Sequence, residues 1–307
     1  PINVLTGEAL RREVEDELGN TLKNQIGIHS TSFGPGVGQA VIRGQSGNRV
    51  QVMQNSVNNI DVSAVSPDHT NGVEAALASR IEVIRGPSTL LYGNGAVGGI
   101  VNVIDDRIIE SSLDKPEFVI EQSHNTVNDG DKTVAKFNGS FGIVNLHLDA
   151  FTRDNNNVDI NGFAIDETAL ELEEEAHEGE EHEDEGHEEE ITNSKGYIAN
   201  SDAKSDGYTI GTSISGEQGF IGMSVATLDS NYGLPGGTHG HHEEEHGDEH
   251  EDEHGADEHG DEEEGEDFVR IDMEQTRYDL KGEYRFESGF FEQFQASVNY
   301  TDYEHSE

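Results

Sequence analysis

The chain of 307 residues has no cysteine and only three methionines, so disulfides and thiolate metal sites are excluded. No run approaches the roughly 18 apolar residues that a transmembrane helix requires. Membrane-crossing strands leave no such run, so insertion as a barrel stays open. Basic residues are scarce: 18 Lys and Arg stand against 64 Asp and Glu, for a formal net charge of -46. Without a basic face for phosphate, nucleic acid is excluded as a partner. The hydrophobic share of 32% is poor for a large soluble core, but it suits strands that are apolar on one face only. The sequence opens at Pro1 with neither a charged n-region nor an apolar h-region, so any signal peptide that is encoded is expected to have been removed.

What the chain has in unusual measure is histidine set among acids. Ten of its fifteen histidines lie in two stretches, Glu171 to Glu190 and His239 to Asp267, which also hold 29 of the 64 acidic residues. His242, His246, His250 and His254 recur every fourth residue and His177, His182 and His187 every fifth, with His239, His241 and His259 completing the set. Imidazole and carboxylate suit zinc, nickel and copper(II), whereas the shortage of sulfur counts against copper(I). Charge runs are most often solvated spacers, but histidine-rich tracts favour metals. Like-charge repulsion and interspersed glycines oppose a stable helix, so disorder is expected without metal. Ligands held this loosely would bind several ions weakly, gathering metal without selecting it. That binding should weaken as pH falls through the histidine range near 6.5.

Two H-E-x-x-H matches, His242 to His246 and His250 to His254, do not make a protease. That chemistry needs a packed helix and a third ligand, and the only apolar residue between His246 and Asp267 is Ala256. Gly93-Asn94-Gly95-Ala96-Val97-Gly98 fits the dinucleotide fingerprint but precedes a strand signal rather than a helix, so its glycines are expected to serve tight turns and close backbone approach. No enzymatic activity or organic cofactor is expected.

The organisation follows from periodicity. Residues 1–105 read as a compact mixed α/β unit. Leu10, Val14, Leu18, Leu22 and Ile26 predict one amphipathic helix over Glu8 to Gln25, closed by Gly27. Strands are expected at Ala40 to Arg43, Asn48 to Met53, Ile81 to Ile84 and Val97 to Ile104, with a small helix over Val73 to Ser79. A linker at 106–115 leads to residues 116–307, where alternation takes over, as in Phe294, Ala296, Val298 and Tyr300 against Gln293, Gln295, Ser297, Asn299 and Thr301. Charged polar faces on long strands fit lipid outside and a wet lumen inside. Tight turns are expected at Gly139 to Ile143, Gly216 to Gly219 and Glu287 to Gly289, alternating with longer links at Asn125 to Asp131, Asn155 to Lys204 and Asn231 to Asp267. Outer-membrane barrels have short periplasmic turns and long external loops, which puts both histidine stretches, near 155–204 and 231–267, outside the cell. About seven strands is an odd number for a bacterial barrel, so the chain is expected to be the first part of a larger one.

Val41-Ile42-Arg43-Gly44, then Asn48-Arg49-Val50-Gln51-Val52, then Arg80-Ile81-Glu82-Val83-Ile84-Arg85-Gly86-Pro87-Ser88-Thr89-Leu90-Leu91-Tyr92-Gly93, closing with Gly98-Gly99-Ile100-Val101-Asn102-Val103, resemble the plug domain of a TonB-dependent outer-membrane receptor. The resemblance implies a plug followed by the first strands of an antiparallel transmembrane β-barrel of 22 strands, a bacterial outer-membrane location, and import driven by the TonB energy-coupling complex of the inner membrane through a short segment ahead of the plug. Ser66-Pro67-Asp68-His69, with the histidine-rich loops, is similar to the zinc-uptake branch of that family.

Fixed ligands for a selective site are therefore sought at Asp68 and His69, beside Pro67, with the remaining ligands expected from the barrel or its loops. The plain alternative is a capping or turn aspartate next to a surface histidine. His29, His124, His147 and His305 read as isolated polar residues, and Arg43 and Arg85 as partners of acidic groups. The expected function is import of a divalent metal, zinc above others. Nickel, copper or a metal chelate such as a siderophore is the alternative cargo, and a surface metal buffer without transport is the alternative role.

Overall fold

The computed structural model describes residues 2–31, 33–59, 61–92, 95–165, 193–236, 268–288 and 290–307. Both histidine-rich stretches, and all ten of their histidines, lie outside these residues.

The first hundred residues build around one sheet. Its strands are β1 (Ile2–Thr6), β4 (Val50–Gln54), β5 (Val57–Asn58), β6 (Arg80–Ile84) and β7 (Gly99–Ile104), in the order β1-β6-β7-β4-β5. The β4–β7 pair is parallel and the others antiparallel. A small ribbon of β2 (Ile28–Ser30) and β3 (Ala40–Ile42) flanks it, with helices α1 (Gly7–Glu13) and α2 (Leu18–Leu22). Strand β7 is buried on both faces, which is why it reads as an apolar run, broken only by Asn102, rather than an alternation; the Asn102 side chain accepts from the Ser56 amide. Leu10, Leu18, Leu22, Ile42, Ile81 and Val101 form the core against it.

The single helix expected over Glu8 to Gln25 is instead two. Val14 (ψ 118) and Glu17 (φ -109, ψ 148) are extended between α1 and α2. Three consecutive acids, Glu15, Asp16 and Glu17, would sit at the negative end of the α1 dipole, and the extended break sends Asp16 and Glu17 to cations of the barrel wall. Leu10, Leu18 and Leu22 are buried as their spacing predicts, but Ile26 is 85% exposed. The helix expected over Val73 to Ser79 is one 3-10 turn, Ala75–Leu77, capped by the Glu74 side chain. Gly98 directly precedes β7, and a Cβ there would lie 2.8 Å from that of Gln45, so the glycine serves close packing.

Seven long strands follow: β8 (Glu117–Asn125), β9 (Gly130–Phe141), β10 (Val144–Asn155), β13 (Ala203–Gly216), β14 (Gly219–Gly233), β15 (Arg270–Arg285) and β16 (Gln293–Ser306), with a separate hairpin of β11 (Asp159–Phe163) and β12 (Lys195–Tyr197) between β10 and β13. The seven pair in chain order, all antiparallel. The expected alternation of links needs correction at two places. The β8–β9 link, read as long, spans only 126–129, whereas the β15–β16 link, read as a tight turn, spans 286–292. Strand pairing continues into residues counted as loop in the first case and stops earlier, at Arg285, in the second.

The outward face carries an apolar belt of Ile210, Ile214, Ile221, Met223, Leu280 and Val298, all exposed. Such a surface would promote aggregation in water and suits lipid. On β15 it is bracketed by Tyr278 and Tyr284, about 20 Å apart along a strand, matching an apolar band with aromatic girdles. Past Tyr278 the outward face turns acidic: Asp206, Asp229, Glu274 and Glu304 stand directly opposite one another across β13, β14, β15 and β16. Among the described residues no helix is long and apolar enough to cross a membrane, which says nothing of strands. The inward face mixes buried polar residues with an apolar cluster of Ala203, Tyr232 and Ile271 around Val37 of the plug, and it packs on the plug. Gly211 lets the linker lie against the wall, since a Cβ there would fall 1.6 Å from the Arg107 carbonyl oxygen.

Candidate metal centre

The plug segment between β5 and β6 is drawn into a fixed loop by its own polar groups. Asp61 caps a turn by accepting from the Ser63 amide at 3.1 Å and reaches across to the Gly72 amide at 2.8 Å. Gln39 donates its side-chain amide to the carbonyls of Ser63, Ser66 and His69 at 2.8 to 2.9 Å. His69, at the apex, is 2% exposed.

Its two ring nitrogens face different partners. Nδ1 lies 2.9 Å from Asp68 Oδ1, which also accepts from the Ser66 hydroxyl. Partial burial disfavours the Asp68 charge, but the hydrogen bonds from Ser66 and His69 hold its carboxyl below the usual carboxylate range. Among the described residues Nε2 has no hydrogen-bond partner; Glu307 Oε1 is 3.1 Å away without the alignment of a hydrogen bond. The His305 ring stands edge-on, its centroid 5.1 Å from that of His69. Ligand atoms of His69, His305 and Glu307 all fall within 4.8 Å of one another. Two ligands of a tetrahedral zinc stand roughly 3.3 Å apart, so little movement would bring this set onto an ion.

The wall half of this cluster is His305, near the end of β16, and Glu307, just past it. His305 is the register partner of Met273, a buried inward residue of β15, so His305 and Glu307 face the plug by alternation. His305 is therefore not the isolated residue its sequence context suggests. Asp68 does meet His69, but at Nδ1, the placement of a carboxylate that orients a ligand and leaves Nε2 for the ion.

The next residue anchors the loop. The Thr70 amide donates to Tyr232 Oη at 3.1 Å, and its hydroxyl donates to Glu17 Oε2. Glu17 lies 3.6 Å from Arg153, which also meets Glu74 at 3.1 Å, while Lys132 pairs with Asp16 at 3.0 Å. Three carboxylates thus share two cations. Burial, which outweighs Arg153, pushes the Glu17 carboxyl up to about 8.

The other expectations divide. His147 is buried on the inner face of β10, 2.6 Å from Asn138 Oδ1 and 2.7 Å from Asp149 Oδ2, so it belongs to the packed wall rather than standing isolated. His124 is exposed beside Asp131 at 3.2 Å, and His29 is exposed. Among the described residues neither Arg43 nor Arg85 forms an ion pair. Arg85 donates instead to the Ile26 carbonyl at 2.6 Å, and Arg43 adopts a left-handed turn conformation with φ 54.

Residues 1–100 match the family described as TonB-dependent Receptor Plug Domain. Among solved structures the chain is similar to the copper transporter OprC, with a TM-score of 0.65 and 14% identity over 99% of this chain and 37% of that one. It is also similar to the ferric enterobactin receptor PfeA in complex with BCV-L6, with a TM-score of 0.63 and 17% identity over 99% of this chain and 41% of that one. The ferric yersiniabactin uptake receptor FyuA from Yersinia pestis gives 0.64 and 12%, over 99% and 41%. At these identities the likeness is one of fold, and the chain spans about two fifths of the length of these receptors. That fold, a plug followed by antiparallel strands of a TonB-dependent barrel, is an outer-membrane fold, and the apolar belt is its lipid face.

Proposed function

We propose that this chain, a receptor plug with the first strands of its barrel, serves a TonB-dependent outer-membrane receptor that imports a divalent transition metal, with zinc as the preferred cargo. The observation that carries the reading is the convergence of His69, His305 and Glu307. A buried imidazole nitrogen without a hydrogen-bond partner, facing a second imidazole and a carboxylate, is a donor set for an ion that arrives without its own ligand shell. A chelated cargo brings its donors with it and has no use for these.

In this reading the histidine-rich stretches raise the local cation concentration and the plug centre selects from it. Asp68 keeps the Nδ1 proton on its own side of the His69 ring, so that Nε2 is the coordinating atom. Energy from the TonB complex then moves the plug and parts His69 from the two wall ligands, releasing the ion. No covalent step is involved.

Calorimetric titration of zinc into the complete receptor, folded in detergent, tests this beside His69→Ala and His305→Ala. Each variant is expected to lose the tight phase and keep the weak multi-site phase; curves that coincide with wild type would sink the proposal. Copper is the second reading, favoured by the thioether of Met273 as register partner of His305 and by the name of OprC. Displacement of zinc from the tight phase by equimolar copper would establish it. Metal accumulation that is unchanged in cells lacking TonB would mark a surface buffer.

A further inference from the structure

We propose that Glu17 is a positioning residue of the metal site, setting His69 through Thr70 and tying the ligand loop to the barrel wall. The inference rests on His69 being a ligand, as proposed above. Thr70 follows His69 directly and is held from two sides: by Tyr232 of β14 at its amide and by Glu17 at its hydroxyl. Glu17 is in turn held by Arg153 of β10, whose guanidinium also takes Glu74, five residues past His69, and the Asp16 carbonyl at 2.8 Å. Glu17, Thr70, Glu74, Arg153 and Tyr232 are all at most 8% exposed. Buried hydrogen bonds of this kind are costly to leave unmade, so the loop has one low-energy position. A metal ligand must be placed to within about 0.2 Å, and a loop anchored one residue away supplies that accuracy.

Glu17 also lies in the extended break between α1 and α2. The group that fixes the ligand loop is therefore part of the N-terminal segment of the plug. Coupling of this kind is reciprocal: if ordering of Glu17 favours the ligand position of His69, metal on His69 favours the ordered state of residues 14–22.

Hydrogen exchange on the complete receptor in detergent, with and without zinc, tests the link. In wild type, zinc is expected to slow exchange at residues 66–74 and at 14–22. Thr70→Val keeps the side-chain shape and removes the donor; zinc affinity should fall about tenfold, with protection confined to 66–74. Glu17→Ala should behave alike, whereas Glu17→Gln, which still offers Thr70 an oxygen, should bind zinc within about twofold of wild type. Wild-type affinity and undiminished protection of 14–22 in Thr70→Val would overturn the assignment while leaving His69 a ligand. Failure of zinc to protect 66–74 in wild type would overturn both.

Discussion

Near the metal centre the plug meets the wall through Asp16, Glu17 and Glu74, gathered about Arg153 and Lys132. Further along β15 it does so through Asp105 and Arg107, with Arg107 2.7 Å from Asp105 and 3.1 Å from Asp279, and Arg277 3.0 Å from Asp279. Both clusters set buried carboxylates against buried guanidiniums, yet Glu17 and Asp105 titrate in opposite directions. In the second, two carboxylates meet two guanidiniums; burial disfavours the Asp105 charge, but Arg107 outweighs it and the carboxyl falls to about 2. In the first, burial disfavours the Glu17 charge and outweighs Arg153, with Glu74 and Asp16 adding repulsion, and the carboxyl rises to about 8. The balance between burial and the facing cation decides the protonation state, and it makes one junction an ionic clasp and the other a junction that holds a proton at neutral pH.

The sharpest way to break this contrast is Arg107→Ala, which strands Asp105 in a buried site. Loss of a buried partner costs about 3–5 kcal/mol, read as destabilisation of the plug in denaturant titration of the detergent-folded receptor. A loss below about 1 kcal/mol would show that the second cluster is not the clasp described.

A pH series on plug stability separates the clusters next. A carboxyl whose folded value is raised holds its proton while the unfolded chain has lost it, so stability falls as pH rises from about 4.5 to about 8 and is level above. The effect for Glu17 is on the order of 5 kcal/mol, and Glu17→Gln should flatten the profile. Asp105 works in the opposite sense, its stabilisation being fully present above the usual carboxylate value and lost as pH falls towards 2. A profile for Glu17→Gln that overlays wild type between pH 5 and 8 would place the proton elsewhere.

At the metal centre itself, Asp68→Asn tests whether the carboxylate orients His69 or binds the ion. An orienting role predicts about a tenfold loss in zinc affinity, smaller than the loss for His69→Ala. Equal losses would make Asp68 a direct ligand. The smallest effect belongs to the outward acidic row, where one sign prevails and water screens it. Glu274→Gln should raise barrel stability by about 0.2–1 kcal/mol at low salt, because like charges opposite one another on neighbouring strands repel. No change between low and high salt would mean the row is already neutralised.

The sequence made some of this legible and hid the rest for identifiable reasons. Alternation in β13 to β16 announced which residues face lipid, since a strand's period is fixed by its backbone. His69 stood out through the resemblance of Ser66-Pro67-Asp68-His69 to the zinc-uptake branch, since the residues alone suited a turn aspartate beside a surface histidine equally well. His305 and Glu307 did not, because alternation puts them on the inner face without saying which plug residue they meet; that depends on contacts more than two hundred positions apart. The split of α1 and α2 was hidden for a related reason. Leu10, Leu18 and Leu22 keep a helical spacing across it, while the cause of the break, the attraction of Asp16 and Glu17 to Lys132 and Arg153, lies on strands yet to come.

The division of the metal centre between plug and wall also bears on assembly. Of the three proposed ligand atoms one belongs to the plug, one to His305 of β16 and one to Glu307 just past it, so the proposed site could not form in a chain still crossing the periplasm unfolded. Such a chain would not strip metal from its surroundings by this route. Once the barrel has closed about the plug, an ion at the proposed site would act as a removable rivet: at a free concentration a hundred times its dissociation constant it would add about 2.7 kcal/mol to the joined state. On the proposed function, bound metal would favour the seated plug, and its departure would loosen the same joint.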